Sequence, residues 1–318
     1  MLSLSILLFA SASLTQELGP RPLAAVDLFQ LELAADPEIS PDGTRVVYVR
    51  RWADDKEDRW RGNLWMVSSA SGEHVALTTG ARADGSPRWS PEGERLAYVS
   101  SEGGSAQLWV RWMASGASAR LTNLAEAPGG LAWSPDGKWL AFTAFVEEKP
   151  APLVTMPAAP EGAVWAKPAT VITQVHYRAD GEGYLRAGHT QLFVVPADGG
   201  TPRALTRGPF DVQGPASWTP DGKHLVFASN RRADAELQPL DTEVWSVAVA
   251  DGTLRALTDR RGPDGSPVVS PDGSLVAYVG FDDRRQGYQV TRAYVVPFAG
   301  GAARELAPKL DRDVEQHR

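Results

Sequence analysis

The sequence predicts an all-β fold, a β-propeller built of four-stranded blades, and three observations carry that expectation. The first is a turn phrase written five times: "SPDG" at 40–43, "SPEG" at 90–93, "SPDG" at 134–137, "TPDG" at 219–222 and "SPDG" at 270–273. The second is a pair of positions just past each turn. The third residue beyond the glycine is apolar (Val46, Leu96, Leu140, Leu225, Val276) and the fifth is aromatic (Tyr48, Tyr98, Phe142, Phe227, Tyr278). Positions two apart share one face of a strand, so each unit offers a bulky face to a core. The third is spacing. From the next aromatic in each unit (Trp65, Trp109, Phe193, Trp245, Tyr294) to the end of a third phrase (Thr78, Thr122, Thr206, Thr258, Ala307) the separation is 13 residues in all five. From there to the next turn it is 12, 12, 13 and 12 residues. Self-similarity at this period is the signature of propeller blades.

Each unit resolves into four strands. A short inner strand ends at Ile39, Trp89, Trp133, Trp218 or Val269 just before the turn. The turn then leads into the second strand, because proline pre-sets φ at its second position while Asp and Gly suit the bend and the left-handed residue after it. Asp42, Glu92, Asp136, Asp221 and Asp272 are therefore turn formers rather than catalytic acids. The third strand carries "NLWMV", "QLWVR", "QLFVV", "EVWSV" or "RAYVV", and a small-residue turn such as "ADGG" (197–200) leads to the fourth. The aromatics at these repeat positions are expected in the core. One connection varies. From turn glycine to third-strand aromatic the distance is 22, 16, 56, 23 and 21 residues, so the third unit carries an excursion over 146–189, with room for a hairpin around "ADGEG". Long loops on a rigid scaffold tend to carry binding work.

Composition narrows the function. A net charge of −7 over 318 residues argues against a nucleic-acid surface. Cysteine is absent, which removes disulfides, thiolate metal sites and cysteine nucleophiles together. The mixed run Asp54 to Arg59 reads as a solvated loop. Residues 1–13 read as a signal peptide, an apolar run Leu2 to Ala10 followed by small residues, although no Lys or Arg precedes the run. The expected location is thus periplasmic or secreted, or cytoplasmic if the leader is not cleaved. Beyond it, residues 22–318 read as propeller, with no other segment long and apolar enough to span a membrane.

The chain shows no motif for chemistry. There is no G-x-S-x-G elbow ("GASAR" at 116–120 fails at its last position), no H-E-x-x-H, no P-loop and no EF-hand loop. His74, His176, His189, His224 and His317 lack ligand spacing; His224 is expected on a solvated blade position, and His176 and His189 lie in the long excursion. Glu147–Glu148 and Asp282–Asp283 are adjacent acids of the kind usually left to solvent. Trp52, Trp60 and Trp112 fall off the repeat columns and are candidates for a binding surface. No catalytic, cofactor-binding or metal-ligating residue is assigned, and no cofactor is expected.

With the blades laid out, the stretches "DLFQLELAADPEISPDG" (27–43), "LTNLAEAPGGLAWSPDGKWLAF" (121–142), "VHYRADGEGYL" (175–185) and "GFDDRRQGYQVTRAYV" (280–295) resemble the N-terminal propeller of the prolyl oligopeptidase family of serine peptidases. The acylaminoacyl-peptidase and dipeptidyl-peptidase branch is the most similar. That resemblance implies a propeller that caps an α/β-hydrolase domain and admits short peptides to a catalytic triad lying C-terminal to it. No position here matches those catalytic residues. The family usually has seven blades where this chain has five units. The alternative is a self-contained binding or scaffolding propeller of the TolB kind, which shares the Ser-Pro-Asp-Gly repeat. The repeat arithmetic puts the next turn serine at about 319 or 320, so a frame that continues into further blades and a hydrolase is the expectation.

Overall fold

A computed structural model describes residues 21–149, 154, 157–166 and 169–314. The leader expected at 1–13 and His317 lie outside the described residues. Five four-stranded antiparallel sheets succeed one another along the chain, each a meander. The first blade is β1 (Glu32–Ile39), β2 (Arg45–Asp54), β3 (Arg59–Ser68) and β4 (His74–Ala76). The second is β5 (Asp84–Trp89), β6 (Arg95–Ser100), β7 (Gln107–Trp112) and β8 (Ser118–Arg120). In the third, β9 (Gly129–Trp133) and β10 (Trp139–Glu147) precede a separate hairpin, β11 (Arg178–Ala179) and β12 (Gly183–Tyr184), before β13 (Gly188–Pro196) and β14 (Arg203–Ala204). The fourth comprises β15 (Gln213–Trp218), β16 (His224–Ser229), β17 (Glu243–Ala248) and β18 (Leu254–Ala256). The fifth comprises β19 (Asp264–Val269), β20 (Leu275–Gly280), β21 (Arg292–Pro297) and β22 (Arg304–Glu305).

The turn phrase works as its residues require. The Ser or Thr hydroxyl donates to the Asp carboxylate two residues on, at 2.5 Å in Ser40–Asp42, 2.6 Å in Ser134–Asp136, 2.6 Å in Thr219–Asp221 and 2.6 Å in Ser270–Asp272. The hydroxyl also accepts the N–H that opens the second strand, Arg45, Trp139, His224 or Leu275. The serine hydroxyls hold Asp42 and Asp272 down at about 2. In the second blade the Ser90 hydroxyl donates to Arg95 O at 3.0 Å, and Glu92 accepts from Arg95 at 2.8 Å.

The blades stack face to face, and the two faces of each strand have separate partners. Leu96 and Tyr98 pack back onto Val47, Val49 and Leu64 of the first blade. Leu140 and Phe142 pack onto Ala97, Leu108 and Val110, Leu225 and Phe227 onto Ala141, Leu192 and Val194, and Val276 and Tyr278 onto Val226 and Val244. The tryptophans that close the inner strands stitch neighbours together: Trp89 Nε1 donates to Glu38 O, Trp133 Nε1 to Arg88 O and Trp218 Nε1 to Ala132 O, at 3.2, 2.9 and 3.1 Å.

Several expectations need correction. The third-strand aromatics Trp65, Trp109, Phe193, Trp245 and Tyr294 are half-buried rather than sealed in the core, and on the second strands Tyr48 is half-buried where its four counterparts are buried. Ile39 is 67% exposed, since among the described residues no blade packs on that side of the first sheet. Trp112 is no surface candidate: it packs against the core between the second and third blades. His224 is half-buried, its ring 5.4 Å from that of Phe298, not solvated. The excursion is shorter than 146–189, since Val146 pairs with His189 and Glu147 with Gly188 as a continuation of the β10–β13 ladder.

Candidate functional site

In a four-stranded meander, the connection between second and third strands lies at the same end as the step to the next blade. Many of the exposed apolar side chains lie at this end, besides a second group in the entry segment from Leu23 to Leu33. Trp60 lies beside the first such connection, Trp165, Val171, Ile172, Val175, Tyr177 and Tyr184 in the third, Leu237 and Leu240 in the fourth and Tyr288 in the fifth.

The excursion of the third blade is fastened at several points. Glu148 N–H donates to Ala187 O at 2.9 Å, and Leu185 N–H to Tyr177 O at 2.9 Å, which sets the β11–β12 hairpin. Tyr177 and Tyr184 face each other across it with ring centroids 6.1 Å apart. Arg186 forks onto both oxygens of Glu126 and lies 4.9 Å over the Phe145 ring, so a fixed cation anchors the base of the hairpin. The Val175 N–H reaches the Glu236 carboxylate, tying the excursion to the fourth blade's loop. In that loop Arg231 lies 4.7 Å from the Phe210 ring and 5.7 Å from that of Trp245, and burial lowers its basicity. The fifth blade's loop forms a cleft of about 320 Å³ between Arg284, Tyr288, Arg292 and Tyr294.

The expected site residues separate in space. His189 is the second residue of β13 and lies 3.3 Å from the Asp211 carboxylate, which also accepts the Thr190 N–H; His176 is exposed beside the hairpin. Trp60 is 49% exposed with Arg51 over its ring, and Trp52 lines a shallow cleft on the first blade. Glu147 and Glu148 are exposed. Asp282 reaches Arg260 at 3.2 Å whereas Asp283 caps its own loop through Arg285 N–H and Gln289, so the two acids do not act as a pair. Among the described residues no group of three or more His, Asp or Glu is placed to hold a metal.

The third-phrase threonines carry a role that the repeat alone does not reveal. Thr78, Thr122, Thr206 and Thr258 are buried, and their hydroxyls accept the third-strand N–H groups of Leu64, Leu108, Leu192 and Val244, at 2.8, 3.0, 2.9 and 2.9 Å. Each then donates onward, to Asp84, to Gln107, to Gln191 and to Glu243. In the second, third and fourth blades the acceptor lies 15 residues before the threonine, a fixed step that the sequence carries, whereas Thr78 turns to Asp84, six residues after it.

Comparison with known proteins places this architecture. Residues 25–149 match the family model of the TolB beta propeller domain, and residues 163–286 match that of the dipeptidyl peptidase IV N-terminal region. The peptidase YuxL of Bacillus subtilis (strain 168), itself uncharacterized, is 30% identical over 209 residues, 65% of this chain and 31% of that protein. Dipeptidyl-peptidase 5 of Porphyromonas gingivalis is 27% identical over 300 residues, 90% of this chain and 42% of that protein. Pyrococcus horikoshii acylaminoacyl peptidase shares the fold with a TM-score of 0.67 at 15% identity, over 91% of this chain and 41% of that one. The TolB-like structure from Agrobacterium tumefaciens aligns with a TM-score of 0.52 at 21% identity, over 86% of this chain and 80% of that one. The chain thus spans less than half the length of these curated relatives. It is a β-propeller of the kind that forms the N-terminal region of prolyl oligopeptidase family peptidases.

Proposed function

We propose that the chain is the substrate-gating propeller of a serine exo- or oligopeptidase acting on short peptides, with its chemistry supplied by an α/β-hydrolase domain outside these residues. The observation that carries the reading is the match of 163–286, which spans most of the excursion and the whole fourth blade, to a peptidase N-terminal region. The loop-bearing end, with its exposed aromatics, is the surface suited to face such a domain. In this reading residues 1–13 are a leader that directs export, 22–318 are propeller, and the five blades are part of a larger ring of about seven.

The test compares two proteins. The 318-residue chain should take no label from a fluorophosphonate serine probe, since without a strained strand-to-helix elbow no serine is activated. The product of the frame extended past Arg318 should take the label, cleave short chromogenic peptides and leave folded proteins intact. N-terminal sequencing of that product after bacterial export should find it shortened near residue 13. Cleavage of folded proteins as readily as of peptides would overturn gating. A stop codon directly after Arg318 would favour a self-contained binding propeller, the reading to which the TolB match over 25–149 points.

A further inference from the structure

The polar side chain that accepts from the third-phrase threonine, one residue before Leu108, Leu192 or Val244, differs from blade to blade. In the second and third blades it is glutamine. Gln107 accepts from the Thr122 hydroxyl and Leu124 N–H through Oε1, and its Nε2 donates to Leu124 O and Ser105 Oγ, both at 2.9 Å. Gln191 accepts from Thr206 and donates to Gly208 O and Phe210 O at 3.0 and 3.2 Å. In the fourth blade the same position is Glu243, buried, accepting from Thr258 at 2.6 Å. An ionised carboxylate has no hydrogen to donate where its glutamine counterparts donate two.

The surroundings of Glu243 are poor in positive charge. From the link to the fifth blade come Thr258, Asp259 and Arg260; from β19 comes Asp264, its side chain wholly buried. Tyr278 stands on β20 with Asp282 beyond it, and Tyr294 on β21 lies 4.0 Å beneath the Arg260 guanidinium. Arg260 is the single cation of this cluster, and it is committed to Asp264 at 2.6 Å and to Asp282 at 3.2 Å. Two buried carboxylates against that one guanidinium would leave an uncompensated charge out of water, which is costly unless a proton neutralises it. Burial pushes the Asp264 carboxyl up as well, but the Arg260 guanidinium at 2.6 Å opposes that shift and no cation among the described residues contacts Glu243, so the proton falls to Glu243. Burial, with Asp264 and Asp259 beside it, pushes Glu243 up to about 7.

This cluster lies on the seam between the fourth and fifth blades. Asp264 N–H donates to Thr242 O at 2.8 Å and Gly262 N–H to Asp241 Oδ1 at 3.2 Å, so the start of β17 and the run into β19 are directly joined. We propose that this seam is a proton-dependent latch: Glu243 carries the proton that closes it, and the fifth blade is held tightest in mildly acidic solution. Linkage fixes the sign. The closed seam keeps a proton that an opened, solvated Glu243 releases above its ordinary value of 4.5, so opening becomes easier as pH rises from there to about 7 and then levels off.

The experiment is hydrogen exchange of the Asp264 and Gly262 amides in the full chain between pH 5 and 8, corrected for the intrinsic rate. The opening constant should rise by up to about tenfold per pH unit between pH 5 and 7 and be flat above. Glu243→Gln restores the neutral side chain of the other blades and should abolish the dependence. A wild-type opening constant flat over the whole range, or a variant with the wild-type slope, would overturn the latch. Should the variant not fold, a carboxyl-¹³C titration of Glu243 in the wild-type chain decides it. A midpoint near 7 supports the latch, and one at 5 or below removes it.

Discussion

The buried threonine hydroxyl is the smallest unit of this fold with a definite energetic role. In Thr206 one oxygen accepts the Leu192 N–H at 2.9 Å and donates to Gln191 Oε1 at 2.8 Å, and all of these groups are sealed from water. A valine keeps the shape and removes both bonds, leaving a buried donor and a buried acceptor unpaired. Each such group costs about 1–3 kcal/mol. Thr206→Val should therefore lower stability by roughly 2–4 kcal/mol in chemical denaturation, after allowing for the added methyl. A change below about 0.5 kcal/mol, the scale of ordinary surface substitutions, would show that water or a neighbour takes over the bonds. Thr44, exposed on the first turn, serves as the control and should tolerate the same change to within about that amount.

At the scale of the strand, the five inner strands share a device. Each ladder between inner and second strand is interrupted by a register shift, and each inner strand has a left-handed residue there: Asp36, Ser86, Gly130, Gly214 and Ser266, with φ of 46°, 52°, 59°, 68° and 50°. These bulges add twist where the strands crowd around the axis. In the two glycine positions the conformation is free of steric cost, whereas Ser86 and Ser266 carry a Cβ that the left-handed region disfavours by about 1–2 kcal/mol. Replacing both serines by glycine should raise the melting temperature by a few degrees, the relief of strain outweighing the greater freedom of glycine in the unfolded chain. Gly130→Ala should act in the opposite direction, because its Cβ would come to 3.2 Å from Pro215 Cα in the neighbouring blade. A lower melting temperature for the Ser86→Gly, Ser266→Gly chain would refute the strain argument. The sequence made the blades legible through the turn phrase and the aromatic columns, since those answer to local turn chemistry and strand alternation. It did not reveal the bulges or the ionic cluster around Glu243. A φ above zero at a serine has no local signal, and the meeting of Glu243, Arg260 and Asp264 depends on how one blade lies against the next.

At the scale of the whole molecule, among the described residues, one face of the first blade and one face of the fifth carry apolar side chains that no other blade buries. Among the described residues no hydrogen bond, ion pair or core cluster joins the first blade to the fifth. Val46, Tyr48, Trp65 and Val67 of the first blade occupy the positions that, in the second, hold Leu96, Tyr98 and Trp109 against a preceding sheet. At the other end Ala277, Val279, Ala293 and Val295 occupy the positions by which Val47, Val49, Leu64 and Met66 cover a following one, yet all four remain half-buried and Leu306 is 46% exposed. The two faces have the complementary characters that pack together at every internal seam. Contiguous apolar surface of this kind drives association unless something covers it. A face of one copy meeting the opposite face of another is a heterologous contact, which propagates instead of closing when the rotation does not complete a ring. The 318-residue chain in isolation should therefore sediment with an average mass that grows with concentration. Charged substitutions on both faces, Tyr48→Lys and Val295→Glu, each made alone, should shift it back towards the monomer, because either one buries an unpaired charge in the shared contact. Combining the two should restore part of the association if the faces meet as the internal seams do, since lysine and glutamate then pair across the junction. A mass that stays monomeric at every concentration would mean that these faces are covered within a single chain in solution.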